Sequence, residues 1–319
     1  MNIAYGLEQF HKLPNAVVTS GTFDGVHLGH QKILARLHEV TQTTGGESVV
    51  ITYFPHPRMV VAADSQELKL LSTLDEKIHL LAAQGVDHLL IIPFTRDFSL
   101  WSSEEFIQRI LLQTLGTKTL VIGYDHRFGR NREGGFEYLR DNADRYGFRI
   151  EEIPRQDLDR VAVSSTQTRA ALLAGQVHQA ALYLGRNYSL TGTVVKGRQL
   201  GRTLGYPTAN LELPEAYKLI PADGVYVVRV NWKNQDFGGM LSIGTNPTVE
   251  GTHRTIEVNI FDFDHDIYGE KLTLNFVAWL RGQIKYDRLD ALVEQIGRDK
   301  ADSLRVLSAN QSAHSTNFT

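Results

Sequence analysis

Residues 21–31 read GTFDGVHLGHQ, with three glycines and two histidines, His27 and His30, three positions apart. The apolar run AVVTS (16–20) precedes the stretch and the helix-patterned KILARLHEV (32–40) follows it, so the glycines fall where a strand turns into a helix. Side chains three apart share one helix face, which lets both imidazoles aim at whatever the turn holds. For the pair alone, metal, phosphate and ordinary helix capping are all open readings. A zinc site would need a third protein ligand and an open position, and no HExxH-like arrangement is present.

Outward from this turn the chain alternates. The runs NAVVTS (15–20), ESVVITYF (47–54), DHLLIIPF (87–94), KTLVIG (118–123) and FRIEEIP (148–154) are nearly continuous in apolar residues, as strands buried on both faces of a parallel sheet are. Helical stretches separate them. STLDEKIHLLAAQG (72–85) carries Thr73 and Glu76 at capping-box spacing and stops at Gly85, and SSEEFIQRILLQTLG (102–116) repeats the device with Ser102, Glu105 and Gly116. Strand alternating with helix predicts a doubly wound α/β layer, whose ligand lies at the carboxyl ends of the strands. The opening stretch sits at such an end.

Near residue 186 the pattern changes. SLTGTVVKG (189–197), VYVVRVNW (225–232), GGMLSIG (238–244), TIEVNIFDF (255–263) and EKLTLNFVAWL (270–280) follow one another with turn residues and no long helix until DRLDALVEQIGRDKADSLRVL (287–307). Closely spaced strands of this kind predict a small antiparallel barrel closed by one terminal helix. The expected division is 1–185, then 186–308, with a polar tail at 309–319 and the linker in YLGRN (183–187).

Composition narrows the partners. A chain of 319 residues with net charge −3 has no basic footprint for a nucleic-acid backbone, so small molecules are the expected partners, with no nucleic acid and no membrane. Cysteine is absent, which removes disulfides, thiolate metal sites and a cysteine nucleophile. The first residues, MNIAYGLEQF, lack a basic region followed by an apolar core, and no stretch reaches membrane-spanning length, so a cytoplasmic protein is expected.

Two more segments of the first half point to phosphate. GYDHRFGRNREGG (123–135) is a strand end followed by glycines and arginines, and VSSTQTR (163–169) opens a helix with hydroxyls one turn before Arg169. By itself the second is equally an ordinary N-cap. In the second half, GTVVKGRQLGRTLGYPTANL (192–211) is a glycine-rich cationic loop followed by Thr208 and Asn210, two apart on an extended segment and therefore on one side of it. A hydroxyl and an amide oxygen so placed suit Mg²⁺ with nucleotide phosphates completing its shell, and an ordinary hairpin explains them as well. Period-two alternation sets Glu257 and Asn259 opposite Ile256, Val258 and Ile260. If that face is a cavity, Glu257 is a base; if it is solvent, a surface charge.

The first-half motifs resemble the nucleotidyltransferase superfamily in GTFDGVHLGH. Together with GYDHRFG and SSTQTR they resemble the FMN adenylyltransferase module of bacterial bifunctional FAD synthetases. The resemblance implies a Rossmann-like domain in which His27 and His30 stabilise ATP phosphates. It also implies that Ser164, Ser165, Thr166 and Arg169 hold the future pyrophosphate, with Gly21, Phe23, Asp24, Gly29 and Asp125 as further ATP-site residues. At the family's aromatic position in this motif stands His126. GRxLGxPTAN, GVYVV, SIGTNPT and TIEVNIFDFDHDIYGE resemble the riboflavin kinase module. That similarity implies Mg-ATP at Gly197, Arg202, Gly205, Pro207, Thr208 and Asn210, with Thr208 and Asn210 as metal ligands. It makes Glu257 the general base on the riboflavin 5′-hydroxyl and places Arg281 and Asn246 on the flavin side. Gln283 replaces the family's acid. The implied substrates and products are ATP, riboflavin, FMN and FAD, with Mg²⁺ required. A nucleotidyltransferase for another phosphorylated metabolite, and a flavin-binding protein with one decayed site, are the alternative classes.

Overall fold

The computed structural model describes residues 1–62, 68–123, 127–130, 133–153, 163–197, 200–248 and 251–315. By contact it divides into Met1–Ser165 and Thr166–Thr319.

The first unit is built on six parallel strands: β1 (Asn2–Tyr5), β2 (Ala16–Ser20), β3 (Glu47–Phe54), β4 (His88–Pro93), β5 (Thr117–Gly123) and β6 (Arg149–Ile153). Their order is β1-β4-β3-β2-β5-β6, every neighbouring pair parallel. All five residues of β2 are buried, which is why its sequence does not alternate. The chain steps outward from β2 through β3 to β4 and then returns to place β5 on the other flank of β2. The sheet therefore has its switch point between β2 and β5, with the crevice at their carboxyl ends. Helices α1 (Leu28–Thr44), α2 (Leu74–Ala83) and α3 (Phe136–Tyr146) are the longer helices of this unit besides the stretch Phe106–Leu115. The expected capping boxes at Thr73/Glu76 and Ser102/Glu105 both form. Phe106–Leu115 is wound as a π-helix, closed by Gly116 N–H donating to Leu111 O.

In the second unit α4 (Ser165–Leu173, its first residue in the preceding unit) and α5 (Val177–Leu184) lead into a closed six-stranded barrel. Its strands are β7 (Ser189–Val195), β8 (Ala209–Glu212), β9 (Gly224–Trp232), β10 (Gln235–Thr248), β11 (Gly251–Ile260) and β12 (Lys271–Arg281). They close in the order β8-β11-β10-β9-β12-β7, antiparallel throughout. Val258, Leu241 and Tyr226 are register neighbours and fully buried, the inner face of the barrel. The opposite face carries Met240 and Val227, which pack with Phe261 and Leu307 beneath the terminal helix α6 (Leu289–Ser315). That helix runs into the stretch expected as a polar tail.

Candidate active sites

The turn after β2 is tightly wound: Phe23, Gly25 and Val26 take φ of 48°, 78° and 39°. Such left-handed values are costly for a bulky or β-branched residue and persist only where the surroundings impose them. Asp24 does so. Its carboxylate accepts from the backbone N–H groups of Leu71 and Ser72 at 3.0 and 3.2 Å, and Gly25 N–H donates to Ser72 Oγ at 3.1 Å. Asp24 and Phe23 are each 1% exposed, and their side chains shape the turn from within. Asp24 latches the loop to the segment entering α2, and Phe23 supports the His30 ring, the centroids 5.0 Å apart. Asp24→Ala strands those N–H groups and is expected to cost about 2 kcal/mol, seen as a lower unfolding midpoint in urea with FAD formation lost alongside.

His27 caps α1, its Nδ1 accepting from His30 N–H at 3.3 Å. The capping reading is thus realised, and it arranges more than a cap. The two imidazoles stack at 3.7 Å with 17° between planes. Burial, then the neighbouring His27, then Lys77, holds His30 well below the ordinary histidine range, and its buried Nδ1 has no hydrogen-bond partner. The stack is therefore a pair of rings in which His30 is a neutral donor.

The second phosphate segment comes to the same place. Ser165 Oγ donates to Asp24 O at 3.0 Å. A Cβ on Gly29 would stand 3.2 Å from the His27 ring and 3.5 Å from Val163 O, so the turn and the segment at Val163 pass close to each other here. Ser165, the first residue of α4, thus stands against the turn that leads into α1. Gly21 N–H donates to Ile51 O at 3.0 Å, fixing the start of the turn to β3. Ser164 is half-buried, Thr166 exposed, and Arg169 stands one turn into α4. Asp125 and His126 lie outside the described residues.

Lys77 is a member of this neighbourhood that the motifs do not show. It is 3% exposed, and its Nζ donates to Thr52 Oγ1 at 3.4 Å. Burial pushes it down to about 8, against the pull of Asp24. The available signal was its place in the apolar stripe of α2 between Leu74 and Leu81.

In the barrel, Asn210 stands opposite Glu257 across β8 and β11, and Ser242 stands opposite Glu257 across β10. Directly opposed residues share a face, so the three form one polar tier on the face away from Val258. Thr208 Oγ1 donates to Glu257 Oε2 at 3.4 Å, and Asn259 Nδ2 donates to Pro207 O at 2.7 Å, anchoring the turn that carries Thr208. Glu257 is half-buried and not a freely solvated charge. The Asn210 amide lies so close over Gly197 that any Cβ there would collide with it. Leu200–Thr203 forms a short helix where the sequence suggested an open loop, with Arg202 exposed on it; Gly205 follows with φ 80°. Arg198 lies outside the described residues. Asn246 is in β10 opposite His253, and its side chain is not among those described.

Arg281 Nε and Nη2 clasp Asp299 at 3.0 and 2.6 Å, a two-pronged pair that ties β12 to α6. The pair is 19% and 6% exposed. Asp299→Ala strands the cation and is expected to lower stability by about 3 kcal/mol, read as a shifted denaturant midpoint. Gln283, in place of an acid, donates to Ser242 Oγ at 3.0 Å and Ile243 O at 2.8 Å; the second bond is one a carboxylate could not make.

The comparisons with known proteins follow this two-site division. The family model described as FAD synthetase matches residues 9–167, and that described as riboflavin kinase matches 184–307. The bifunctional riboflavin kinase/FMN adenylyltransferase of Pseudomonas fluorescens is 38% identical over 93% of this chain and 94% of its own. That of Escherichia coli K12 is 35% identical over 94% and 96%. A crystal structure described as a macrolide-efflux protein from Streptococcus pneumoniae superposes with a TM-score of 0.87 at 31% identity, covering 95% of this chain and 99% of that one. Efflux is that protein's description; among the described residues here no helix is long and apolar enough to cross a membrane. Two enzyme modules matched in the order of their relatives, each over its own site, leave one conclusion: the chain belongs to the bifunctional riboflavin kinase/FMN adenylyltransferase family.

Proposed function

We propose that the chain converts riboflavin to FAD in two ATP-dependent steps, phosphorylating the 5′-hydroxyl in the barrel and adenylylating the resulting FMN in the α/β unit. The observation that supports the second assignment is the imidazole stack at the start of α1, with Ser165 Oγ bonded to Asp24 O in the turn that leads into it.

In adenylyl transfer an FMN phosphate oxygen attacks the α-phosphorus of ATP, the bond to the β-phosphate oxygen breaks, and pyrophosphate leaves. The protein needs to supply no covalent chemistry. Preorganised donors aimed at oxygens where charge grows are its main contribution. His27 and His30 provide two on α1, while Ser164, Ser165, Thr166 and Arg169 line the opening of α4 for the leaving group. Holding His30 neutral keeps it a donor of unchanging charge across the neutral range.

In the barrel the riboflavin 5′-hydroxyl attacks the γ-phosphorus and ADP leaves, with Glu257 accepting the hydroxyl proton. Thr208 Oγ1, the Asn210 amide oxygen and the Glu257 carboxylate are hard oxygen donors on one tier, a set that fits Mg²⁺. Bound with ATP, Mg²⁺ would offset phosphate charge; Thr208 and Asn210 would hold it. Gly197 admits the Asn210 amide, and the Asn259 bond to Pro207 keeps Thr208 in place.

The adenylyltransferase module is taken as 1–185, because the turn at 163–169 serves its site, and the kinase module as 186–308. A cytoplasmic setting suits both reactions, since ATP is their common substrate. Incubation of the full chain with riboflavin, Mg²⁺ and ATP, with flavins resolved by chromatography, tests the reading. FMN followed by FAD is expected. No FMN rejects the barrel assignment, and FMN that never becomes FAD rejects the other.

A further inference from the structure

Lys77 is a buried cation with no part in the motifs of either reaction. Its Nζ reaches Thr52 Oγ1 at 3.4 Å, and Thr52 Oγ1 in turn donates to Thr22 O at 3.2 Å, inside the strained turn. The next residues of that turn, Asp24 and Gly25, are held by Leu71 and Ser72, just before the helix that bears Lys77. Among the described residues, the charged and titratable groups that act on one another here include Asp24 from the turn, His27 and His30 from the start of α1, and Lys77 from α2. A buried carboxylate beside a buried ammonium is a compensated pair; remove the ammonium and the carboxylate is left uncompensated. Two imidazoles stacked at 3.7 Å resist a second positive charge, and Lys77 adds a third group against it. Protonating His30 would also create a second N–H at a ring whose buried Nδ1 has no partner.

We propose that Lys77 is a positioning residue of the adenylyl-transfer site: its buried ammonium holds the turn at Thr22 through Thr52 and so sets where the His27–His30 stack stands. The inference rests on the phosphate-donor reading of that stack only for its consequence in catalysis. It requires no contact between Lys77 and substrate.

The test uses the full chain with Lys77→Met, and with Lys77→Arg as the variant that keeps the charge. Imidazole signals are followed by NMR from pH 5.5 to 8 without substrate, His30 being assigned by the signal missing in His30→Gln. In wild type and Lys77→Arg, His30 stays neutral through that range. In Lys77→Met its titration moves up by about one pH unit or more, and the acid limb of FMN adenylylation moves up with it, while riboflavin phosphorylation in the barrel is unchanged and dispersed amide signals of the α/β unit report that it is folded. Should Met fail to fold, Lys77→Gln carries the same comparison. An identical His30 titration in the folded neutral variant and wild type overturns the proposal. Failure of the phosphate-donor reading shows elsewhere, as undiminished FAD formation when both imidazoles are removed, and leaves the NMR comparison standing.

Discussion

Glu257→Gln lowers riboflavin phosphorylation by at least about a hundredfold and leaves FAD formation from supplied FMN at the wild-type rate. The substitution is nearly isosteric. Gln can still accept the Thr208 hydroxyl now 3.4 Å from Oε2 and still fills the tier between Asn210 and Ser242. What it cannot do is take a proton from an attacking hydroxyl. The loss should therefore fall on kcat, with the KM for riboflavin changed little. A loss confined to KM would make Glu257 a binding group. Equal loss of both activities would mean that the change acts through folding, and the general-base assignment would fall.

Much of the fold is legible because the parallel strands are buried on both faces. AVVTS and HLLIIP can only be continuous apolar runs if helices cover them, and both are strands of the sheet. Caps are equally local: Thr73 and Glu76 satisfy each other within one turn. β1 escapes notice because only one of its four residues is buried at the sheet edge. The winding of Phe106–Leu115 escapes for a different reason, since ten residues of apolar pattern do not distinguish one helical pitch from another.

The sites divide along the same line. Thr208, Asn210 and Glu257 are legible as types, and the barrel register then brings together residues 47 to 49 positions apart. For Asp24, Phe23 and Arg281 a motif shows that a residue is needed without showing what it touches. The partner of Asp24 is the backbone at 71–72, and that of Arg281 is Asp299 on another element. Lys77 is hidden by its charge, which in a sequence normally signals exposure.

Removing both imidazoles, His27→Ala with His30→Ala, reduces FAD formation from FMN and ATP by about a thousandfold and spares riboflavin phosphorylation. One preorganised donor at a developing charge is worth about a hundred- to a thousandfold. If the two stacked rings act as a unit, the double variant should lose little more than either single one. His27 has a second task that Ala also abolishes, the cap on His30 N–H, worth about 1 kcal/mol of helix stability. His27→Asn separates the two: its short side chain can cap α1 but cannot carry a donor to where the ring edge stands. With stability restored and FAD formation still depressed, the imidazole is needed for its chemistry. If Asn restores the rate, capping was its whole contribution. If the double Ala variant makes FAD normally, the stack is architecture alone and the phosphate-donor role of both imidazoles falls.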